Sequence, residues 1–422
     1  MVGRTWRGAL ELVIGVAIAA AAMHTWLIMG WIVPVTVSGS SMAPTLLGPH
    51  RLFFCPKCRH AFAVGLDQLP MGERAVCDQC GQRSAAARPR SDRRGERLAI
   101  DRTAFVARRP RRWELVVFRC PERGGELCVK RVVGLPGELV GLAGGDVFVN
   151  GQVVGKSLAE QRAVRQLIDV DSESESPADK VRVGDVLFPA LERWRKKRDG
   201  ARIEYHHLAN GPILDTLAYN QGPAPPPNRV SDIMLTFTAR FAGAGRLVLA
   251  AENQAGRFET KIDFGKGVVT LKCNGRLSAE RPLPSIGVSE TWSEWTFSLF
   301  DRQVLLAIDD YVVLVAPLVT DQVSTGPPPE VVSARPHLSL RVDGLSGEIR
   351  ALTVWRDIYY GVRHGDGRQP GAVRGTTTTW RLGPDEFFVV GDNAAISDDS
   401  RDWLSGAGVN AKLLIGKPLG VR

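Results

Sequence analysis

The sequence predicts a mainly β protein that begins with one apolar helix. Three observations support this fold class. An apolar segment extends from Leu12 to Val35, short segments of alternating polarity recur along the remaining chain, and turn residues separate those segments at regular spacing. The 422 residues, of which 44% are apolar and 23% charged, have the composition of a folded protein with two or three domains.

The first element is predicted to be a transmembrane helix over residues 9–36, after a cytoplasmic tail of residues 1–8. The apolar segment is long enough to cross a hydrocarbon core of about 30 Å at 1.5 Å per helical residue. Trp26 and Trp31 near its outer end are typical of the aromatic belt at a membrane interface.

The leading tail predicts the orientation of this helix. Arg4 and Arg7 favour a cytoplasmic N-terminus, which places the rest of the chain outside the plasma membrane as a single-pass protein. A cleaved signal peptide with an A-x-A-like site at residues 17–19 or 20–22 is the alternative. The apolar segment continues well beyond that site, which favours the membrane anchor.

Three short segments carry the pattern that predicts a function. Residues 37–46 read VSGSSMAPTL, residues 128–138 read CVKRVVGLPGE, and residues 391–401 read GDNAAISDDSR. Together they resemble the type I signal peptidases, which are membrane-anchored serine peptidases that remove the signal peptide from exported proteins. The resemblance implies a signal-peptidase-type antiparallel β core, a Ser/Lys dyad and exported preproteins as substrates.

Ser41 and Lys130 are the candidate catalytic residues. A serine hydroxyl is a weak nucleophile until a base takes its proton, and none of the seven histidines lies in the three segments. Lysine can act as that base where burial lowers its pKa from about 10.4. Lys130 has apolar neighbours on both sides, and the resemblance names it as the general base for Ser41.

The same resemblance implies a set of supporting residues. The hydroxyl of Ser397 is expected to hold the lysine, and Asp399 and Arg401 are expected to form a charged pair that shapes the site. Asp392 and Asn393 are expected to form a hydrogen-bonded turn beside it.

Substrate pockets and an oxyanion donor complete the expected site. Val37 and Val129 match positions that line shallow pockets, which would accept the small side chains of A-x-A-like cleavage sites. The backbone N–H of Ser41 is the first candidate donor to the tetrahedral intermediate. Some relatives add a serine two residues before the nucleophile, but that position is Gly39 here.

Two insertions are predicted to split the catalytic core into three parts. These parts are residues 37–48, which hold the nucleophile, residues 95–155, which hold the general base, and residues 380–422. Their short alternating segments agree with antiparallel β structure.

The first insertion, residues 49–94, is predicted to be a zinc ribbon. It contains two CxxC pairs, and four thiolates at this spacing are typical of a structural zinc site. Two disulfides among the same cysteines are the alternative, because thiols tend to oxidise outside the cytoplasm. No cofactor is expected for catalysis. The expected metal ligands are Cys55, Cys58, Cys77 and Cys80.

The second insertion is predicted to contain a linker region, residues 156–228, followed by a β-sandwich, residues 229–360. Regularly spaced strands separated by turn signals predict the sandwich. It is similar to the concanavalin-A-like sandwiches, many of which bind glycans. A glycan ligand and a protein ligand both stay open, because a fold does not fix a function.

The charge of the chain indicates which partners it can bind. The net charge is +9 and arginines cluster between residues 83 and 112, which suits anionic lipid head groups at the surface of the bilayer. No nucleic-acid partner is expected behind a membrane anchor. The alternative to a peptidase is a catalytically silent membrane-anchored protein that binds glycan or protein through its sandwich.

Overall fold

The computed structural model describes residues 2–24, 29–58, 60–70, 74–78, 81–85, 92–170, 180–189, 193–207, 211–222, 226–253, 255–284, 291–318, 337–361, 378–404 and 406–421. Strands dominate these residues, which confirms the predicted mainly β class.

The helices and strands follow in chain order. The helices are α1 (Val2–Met23), α2 (Met29–Trp31) and α3 (Leu158–Val164). The strands before α3 are β1 (Ile32–Thr36), β2 (His50–Phe54), β3 (Ala61–Gly65), β4 (Arg74–Val76), β5 (Arg83–Ala85), β6 (Asp92–Arg93), β7 (Arg97–Asp101), β8 (Leu115–Arg119), β9 (Leu127–Gly134), β10 (Leu139–Ala143), β11 (Asp146–Val149) and β12 (Gln152–Val153). The strands after α3 are β13 (Gln166–Val170), β14 (Val181–Val183), β15 (Asp185–Phe188), β16 (Trp194–Lys196), β17 (Arg202–Tyr205), β18 (Ile233–Ala242), β19 (Arg246–Asn253), β20 (Gly256–Asp263), β21 (Val268–Cys273), β22 (Arg276–Pro282), β23 (Ser293–Phe300), β24 (Gln303–Ile308), β25 (Tyr311–Pro317), β26 (His337–Asp343), β27 (Ser346–Arg356), β28 (Thr378–Arg381), β29 (Glu386–Val390), β30 (Val409–Asn410) and β31 (Leu414–Leu419).

The N-terminal segment differs from the single helix predicted over residues 9–36. Helix α1 ends at Met23, and residues 32–36 form strand β1, which pairs antiparallel with β7. The β-branched residues of this segment favour a strand, and Pro34 is tolerated because β1 lies at the edge of its sheet. Among the described residues, the structure contains no helix that is both long and apolar enough to cross a membrane.

The catalytic core consists of two sheets. The core sheet has seven strands in the order β1-β7-β31-β8-β9-β29-β30, and the small sheet has four in the order β12-β11-β10-β28. Buried apolar side chains of both sheets, such as Val133 on β9 and Leu142 on β10, pack in one cluster. The parts predicted around residues 95–155 and 380–422 therefore fold together, with β9 in the interior of the core sheet.

The first insertion forms two small sheets, β3-β2-β6 and β4-β5. Phe53, Phe62 and Val64 fill their own apolar cluster, and the cluster also takes in Cys55 and Ala218. Ala218 belongs to the second insertion, so the two insertions contact each other beside the core.

The second insertion is a β-sandwich, as predicted. One sheet has the order β14-β15-β27-β18-β23-β24-β25, with β13 also paired to β27, and the other has the order β16-β17-β26-β19-β20-β21-β22. Apolar residues from both sheets share one buried cluster, for example Phe237 on β18 and Leu249 on β19. The alternating polarity of these segments places one face of each strand in this interior.

The region predicted as a linker, residues 156–228, differs from the prediction. It begins with α3, and Ser157 and Glu160 form a capping box at the N-terminus of this helix. Its strands then join the sandwich: β13 and β15 pair with β27, and β17 pairs with β26. The sandwich is therefore larger than its predicted boundaries, because these short strands at the ends of long sheets carry little apolar alternation.

Candidate active site

Strand β9 carries Lys130 into the interior of the core sheet. Lys130 lies opposite Val116 of β8 and is only 3% exposed. Its ammonium donates a hydrogen bond of 2.8 Å to Ser397 Oγ. Burial lowers the pKa of Lys130, while the carboxylate of Asp399 opposes that change. A lysine with a lowered pKa can reach the neutral state that accepts a proton.

Residues 391–393, called here the Gly-Asp-Asn segment, lie between Lys130 and the loop that contains Ser41. The backbone N–H of Asn393 donates to the Ser41 carbonyl at 3.1 Å, and the N–H of Ser397 donates to the Asn393 carbonyl at 3.0 Å. Only glycine fits at position 391, because a Cβ there would overlap Ser397 Oγ and the Ser41 carbonyl oxygen. The structure thus brings together the three residues predicted for catalysis and lysine positioning.

Two buried ion pairs hold this segment in place. Arg131 donates to both carboxylate oxygens of Asp392, at 2.7 and 2.6 Å. Arg401 binds Asp399 in the same way, at 2.8 Å for each bond, and Asp399 also accepts from the N–H of Gly391. Burial opposes the charge of Asp399, but the guanidinium of Arg401 outweighs it and the pKa of Asp399 is lowered. The predicted supporting residues therefore all lie in this site.

Comparison with known proteins agrees with this geometry. Residues 9–193 match the family model described as signal peptidase, peptidase S26. The matched residues are therefore similar to this signal peptidase family, and they make up less than half of the chain. A curated relative, signal peptidase I from Leptolyngbya laminosa, is 38% identical over 64 residues, which are 14% of this chain and 32% of that protein. The match thus spans about a third of the length of the curated relative.

Solved structures similar to this chain include a galectin and a carbohydrate binding module. Galectin LEC-6 from Caenorhabditis elegans is 10% identical with a TM-score of 0.21, covering 30% of this chain and 82% of that one. The carbohydrate binding module CBM66 from Bacillus subtilis is 13% identical with a TM-score of 0.20, covering 38% of this chain and 89% of that one. At such TM-scores the likeness carries no argument about fold or ligand.

The predicted pocket residues lie in or beside the loop that contains Ser41. Val37 and Val129 pack in one apolar cluster with Met42 and Leu98. Val37 also lines a cleft of about 360 Å³, whose other lining residues include Ser38 of the nucleophile loop. The cleft and the cluster supply apolar surface next to Ser41.

Three of the predicted metal ligands converge in the first insertion. Ligand atoms of Cys55, Cys58 and Cys77 lie within 4.8 Å of one another, and the Sγ atoms of Cys58 and Cys77 are 3.7 Å apart. Cys80 lies outside the described residues. Three thiols at this separation fit a tetrahedral thiolate site, which agrees with the chemistry expected of the four cysteines.

Cys120 and Cys128, whose pairing the sequence leaves open, lie near the turn between β8 and β9 as two thiols. Burial, and then the neighbouring Cys120, raise the pKa of Cys128 to about 12. The Cys128 thiol is therefore not set up as a nucleophile beside Lys130.

The structure also places residues in the site that the sequence did not reveal. The hydroxyl of Ser40 donates to both carboxylate oxygens of Asp67, at 2.6 and 2.8 Å. Asn220 exchanges two hydrogen bonds with the amide of Asn393. Asp67 and Asn220 come from the two insertions and belong to no recognisable sequence pattern, so only the folded chain shows them. Arg131, the residue after Lys130, had no role assigned from the sequence, and the structure buries it in a pair with Asp392.

Proposed function

We propose that the chain is a serine endopeptidase of the signal peptidase I type, with Ser41 as nucleophile and Lys130 as general base. One observation carries the proposal: Lys130 is buried, has a lowered pKa and hydrogen-bonds to Ser397 beside the loop that contains Ser41. The family match supports the same reaction class.

In the proposed reaction, neutral Lys130 takes the proton of Ser41 as Oγ bonds to the scissile carbonyl carbon. The carbonyl oxygen becomes an oxyanion and accepts a hydrogen bond from the N–H of Ser41. Collapse of this intermediate breaks the peptide C–N bond, and Lys130 returns the proton to the departing amine. Water then attacks the ester with Lys130 as base again, which releases the acyl group as a carboxylic acid and restores Ser41.

The proposed substrates are exported preproteins, cut after A-x-A-like sites. Val37 and Val129 offer apolar surface for small side chains beside the nucleophile. A preprotein with leucine in place of alanine at the residue before the cut should be cleaved far more slowly, since its larger side chain exceeds a shallow pocket. Equal rates for the two substrates would argue against this assignment.

We also propose that the chain works at the outer face of the plasma membrane and contacts lipid through α1. Apolar side chains of α1 are exposed, among them Leu12 at 69% and Ile18 at 65%. Such a surface favours contact with hydrocarbon. Flotation with phospholipid vesicles tests this: Ile18→Lys should reduce the bound fraction, and Val106→Lys, at an exposed apolar residue away from α1, serves as the control.

Cleavage of a synthetic preprotein tests the dyad. Ser41→Ala and Lys130→Met should both abolish cleavage while the protein still folds. Lys412→Met, at an exposed lysine, is the matched control and should keep wild-type activity. Cleavage by either dyad variant would end the assignment. A wild-type protein that never cleaves, in the presence of lipid and zinc, would favour the catalytically silent binding protein.

A structural zinc ion at Cys55, Cys58, Cys77 and Cys80 is the remaining proposal. The convergence of three thiols supports it. Purified protein should contain about one zinc per chain, as expected for a four-thiolate site, and Cys58→Ser should lower that content. Cys273→Ser, in the sandwich, should leave it unchanged. Zinc-free protein whose thiols are oxidised would establish the disulfide alternative.

A further inference from the structure

Residues of both insertions hold the peptide group between Ser40 and Ser41. We propose that Asp67 and Asn220 are positioning residues that fix this peptide, whose N–H stabilises the oxyanion. The inference rests on the proposed function, because it concerns the same nucleophile. It gives the two insertions a direct part in the chemistry of a core that they interrupt.

Asp67 fixes the side chain of Ser40. It lies in a short 3-10 turn, Leu66–Gln68, directly after strand β3. Both of its carboxylate oxygens accept from Ser40 Oγ, and Ser40 is only 6% exposed. Hydrogen bonds to a carboxylate are among the stronger ones in proteins. Asp67 itself is exposed, so it can be replaced without disturbing a packed interior.

Asn220 fixes the carbonyl of Ser40 through Asn393. The Nδ2 group of Asn393 donates to the Ser40 carbonyl at 2.9 Å and to Asn220 Oδ1 at 2.8 Å. Its Oδ1 accepts from Asn220 Nδ2 at 2.7 Å. Both faces of the Asn393 amide are therefore used, and Asn220 prevents the amide from turning away from Ser40.

These contacts determine where the Ser41 N–H points. A peptide group is planar, so a carbonyl held in one direction fixes the direction of the N–H on the same plane. Asn393 holds the carbonyl end, and Asp67 holds the side chain that precedes it. An oxyanion donor works only where it already points at the developing charge. Fixing this one peptide therefore lowers the barrier to formation of the tetrahedral intermediate.

Contacts between the two insertions hold Asp67 and Asn220 in place relative to each other. The N–H of Gly65 donates to the Tyr219 carbonyl at 3.2 Å, and Gln221 exchanges hydrogen bonds with the backbone of Val76. Gly65 is required here, because a Cβ would lie 2.6 Å from the Tyr219 ring and 2.7 Å from an oxygen of Asp67. Hydrogen bonds thus connect the segments of the two insertions that carry Asp67 and Asn220.

Preprotein cleavage by purified full-length variants tests the inference. Asp67→Ala and Asn220→Ala should each lower kcat by about 10- to 100-fold with little change in KM, as expected when a reacting group is misplaced. Asp67→Asn keeps one acceptor for Ser40 and should retain most of the activity. The pH at half-maximal rate should stay in place, because neither variant touches the surroundings of Lys130.

Gln221→Ala is the matched control, since it weakens the contact between the insertions without touching Ser40 or Asn393. It should retain a larger share of the wild-type kcat than either test variant. Wild-type kcat in both Asp67→Ala and Asn220→Ala, or an equal loss in Gln221→Ala, would overturn the positioning role.

Amide hydrogen exchange gives a readout that does not depend on catalysis. Exchange at the Ser41 amide should accelerate in Asp67→Ala and Asn220→Ala. If wild-type protein cleaves no preprotein, the proposed function fails while this measurement still decides the inference. Unchanged exchange in both variants would reject the inference even for an active enzyme.

Discussion

The core and the sandwich both bury charged side chains, but the core places them around Lys130 and the adjacent Gly-Asp-Asn segment. The core contains five charged residues that are each at most 3% exposed, and four of them form two bidentate ion pairs. These residues are Lys130, Arg131, Asp392, Asp399 and Arg401. The fifth, Lys130, donates to a serine hydroxyl instead of a carboxylate.

The cluster between the two sheets of the sandwich is apolar. Trp295 stacks on Phe237 with ring centroids 6.1 Å apart and meets Phe241 edge to face. Charged residues are buried in this region as well, because Lys156 pairs with Asp301 and Asp357 at 2.5 and 2.7 Å. Burial of apolar area stabilises this domain at about 25 cal/mol per Å².

The difference separates residues that serve chemistry from residues that serve stability. Burying a charge pair costs desolvation energy, and well-packed apolar residues in its place are often as stable or more so. The core nevertheless surrounds Lys130 with charged groups, which control its protonation and hold the Gly-Asp-Asn segment. The buried Lys156 beside the sandwich is instead paired directly with two carboxylates, those of Asp301 and Asp357.

The largest expected effect comes from breaking a buried pair in the core. Asp399→Asn leaves Arg401 buried without its counter-charge, and we expect unfolding to become easier by about 3–5 kcal/mol. Thermal unfolding followed by circular dichroism measures this. Asp398→Asn is the control: that carboxylate is 44% exposed in a surface pair with Arg123, so its loss should cost under about 1 kcal/mol. Equal effects of the two substitutions would show that the buried pair contributes no more to stability than the exposed pair does.

A cavity in the sandwich should affect stability without affecting chemistry. Leu249 is fully buried, and Leu249→Ala should cost about 2–5 kcal/mol of unfolding free energy. The kcat of the folded fraction should match wild type, because the sandwich interior does not reach Lys130. Leu277→Ala, on exposed strand β22, should change stability by no more than about 0.5 kcal/mol. A large fall in kcat for Leu249→Ala would show that the two regions are coupled.

The sequence predicted the strands of the sandwich better than it predicted strand β1, and the reasons are physical. Regularly spaced strands were predicted for the sandwich, since their alternation follows from one buried face. Strand β22 contributes no such pattern, because its residues are mostly exposed. Strand β1 was taken as part of a helix, because an apolar run such as Ile32–Val35 looks the same in either structure until its partner β7 is known.

In the site, residues within the three matching segments were predicted, and residues outside them were not. Ser41, Lys130 and Ser397 were predicted from motifs that lie far apart in the sequence, and the structure bonds Lys130 to Ser397 and places the Ser41 carbonyl beside Gly391. Asp67 and Asn220 act through hydrogen bonds formed only after both insertions fold against the core. The spacing of residues in the sequence does not predict such contacts.

The protonation of Lys130 provides the finest test of the comparison. Burial lowers its pKa from an ordinary value of 10.5, so the neutral base forms at a lower pH than in water. The rate kcat/KM should therefore rise with pH through a midpoint below 10.5. Below that ordinary value the unfolded chain carries the proton that the folded core disfavours, so the contribution of Lys130 to stability falls as pH decreases toward its folded pKa.

The dependence of kcat/KM on pH in Asp399→Asn shows whether the Asp399 carboxylate raises or lowers the pKa of Lys130. The Asp399 carboxylate favours the charged ammonium, whereas Arg401 disfavours it. Removing the carboxylate while keeping the guanidinium should shift the midpoint to lower pH, by about one unit, or about 1.4 kcal/mol. Asp398→Asn should leave the midpoint within a few tenths of a unit of wild type, since exposed charges are screened. A midpoint that moves to higher pH in Asp399→Asn would show that another group sets the pKa of the base.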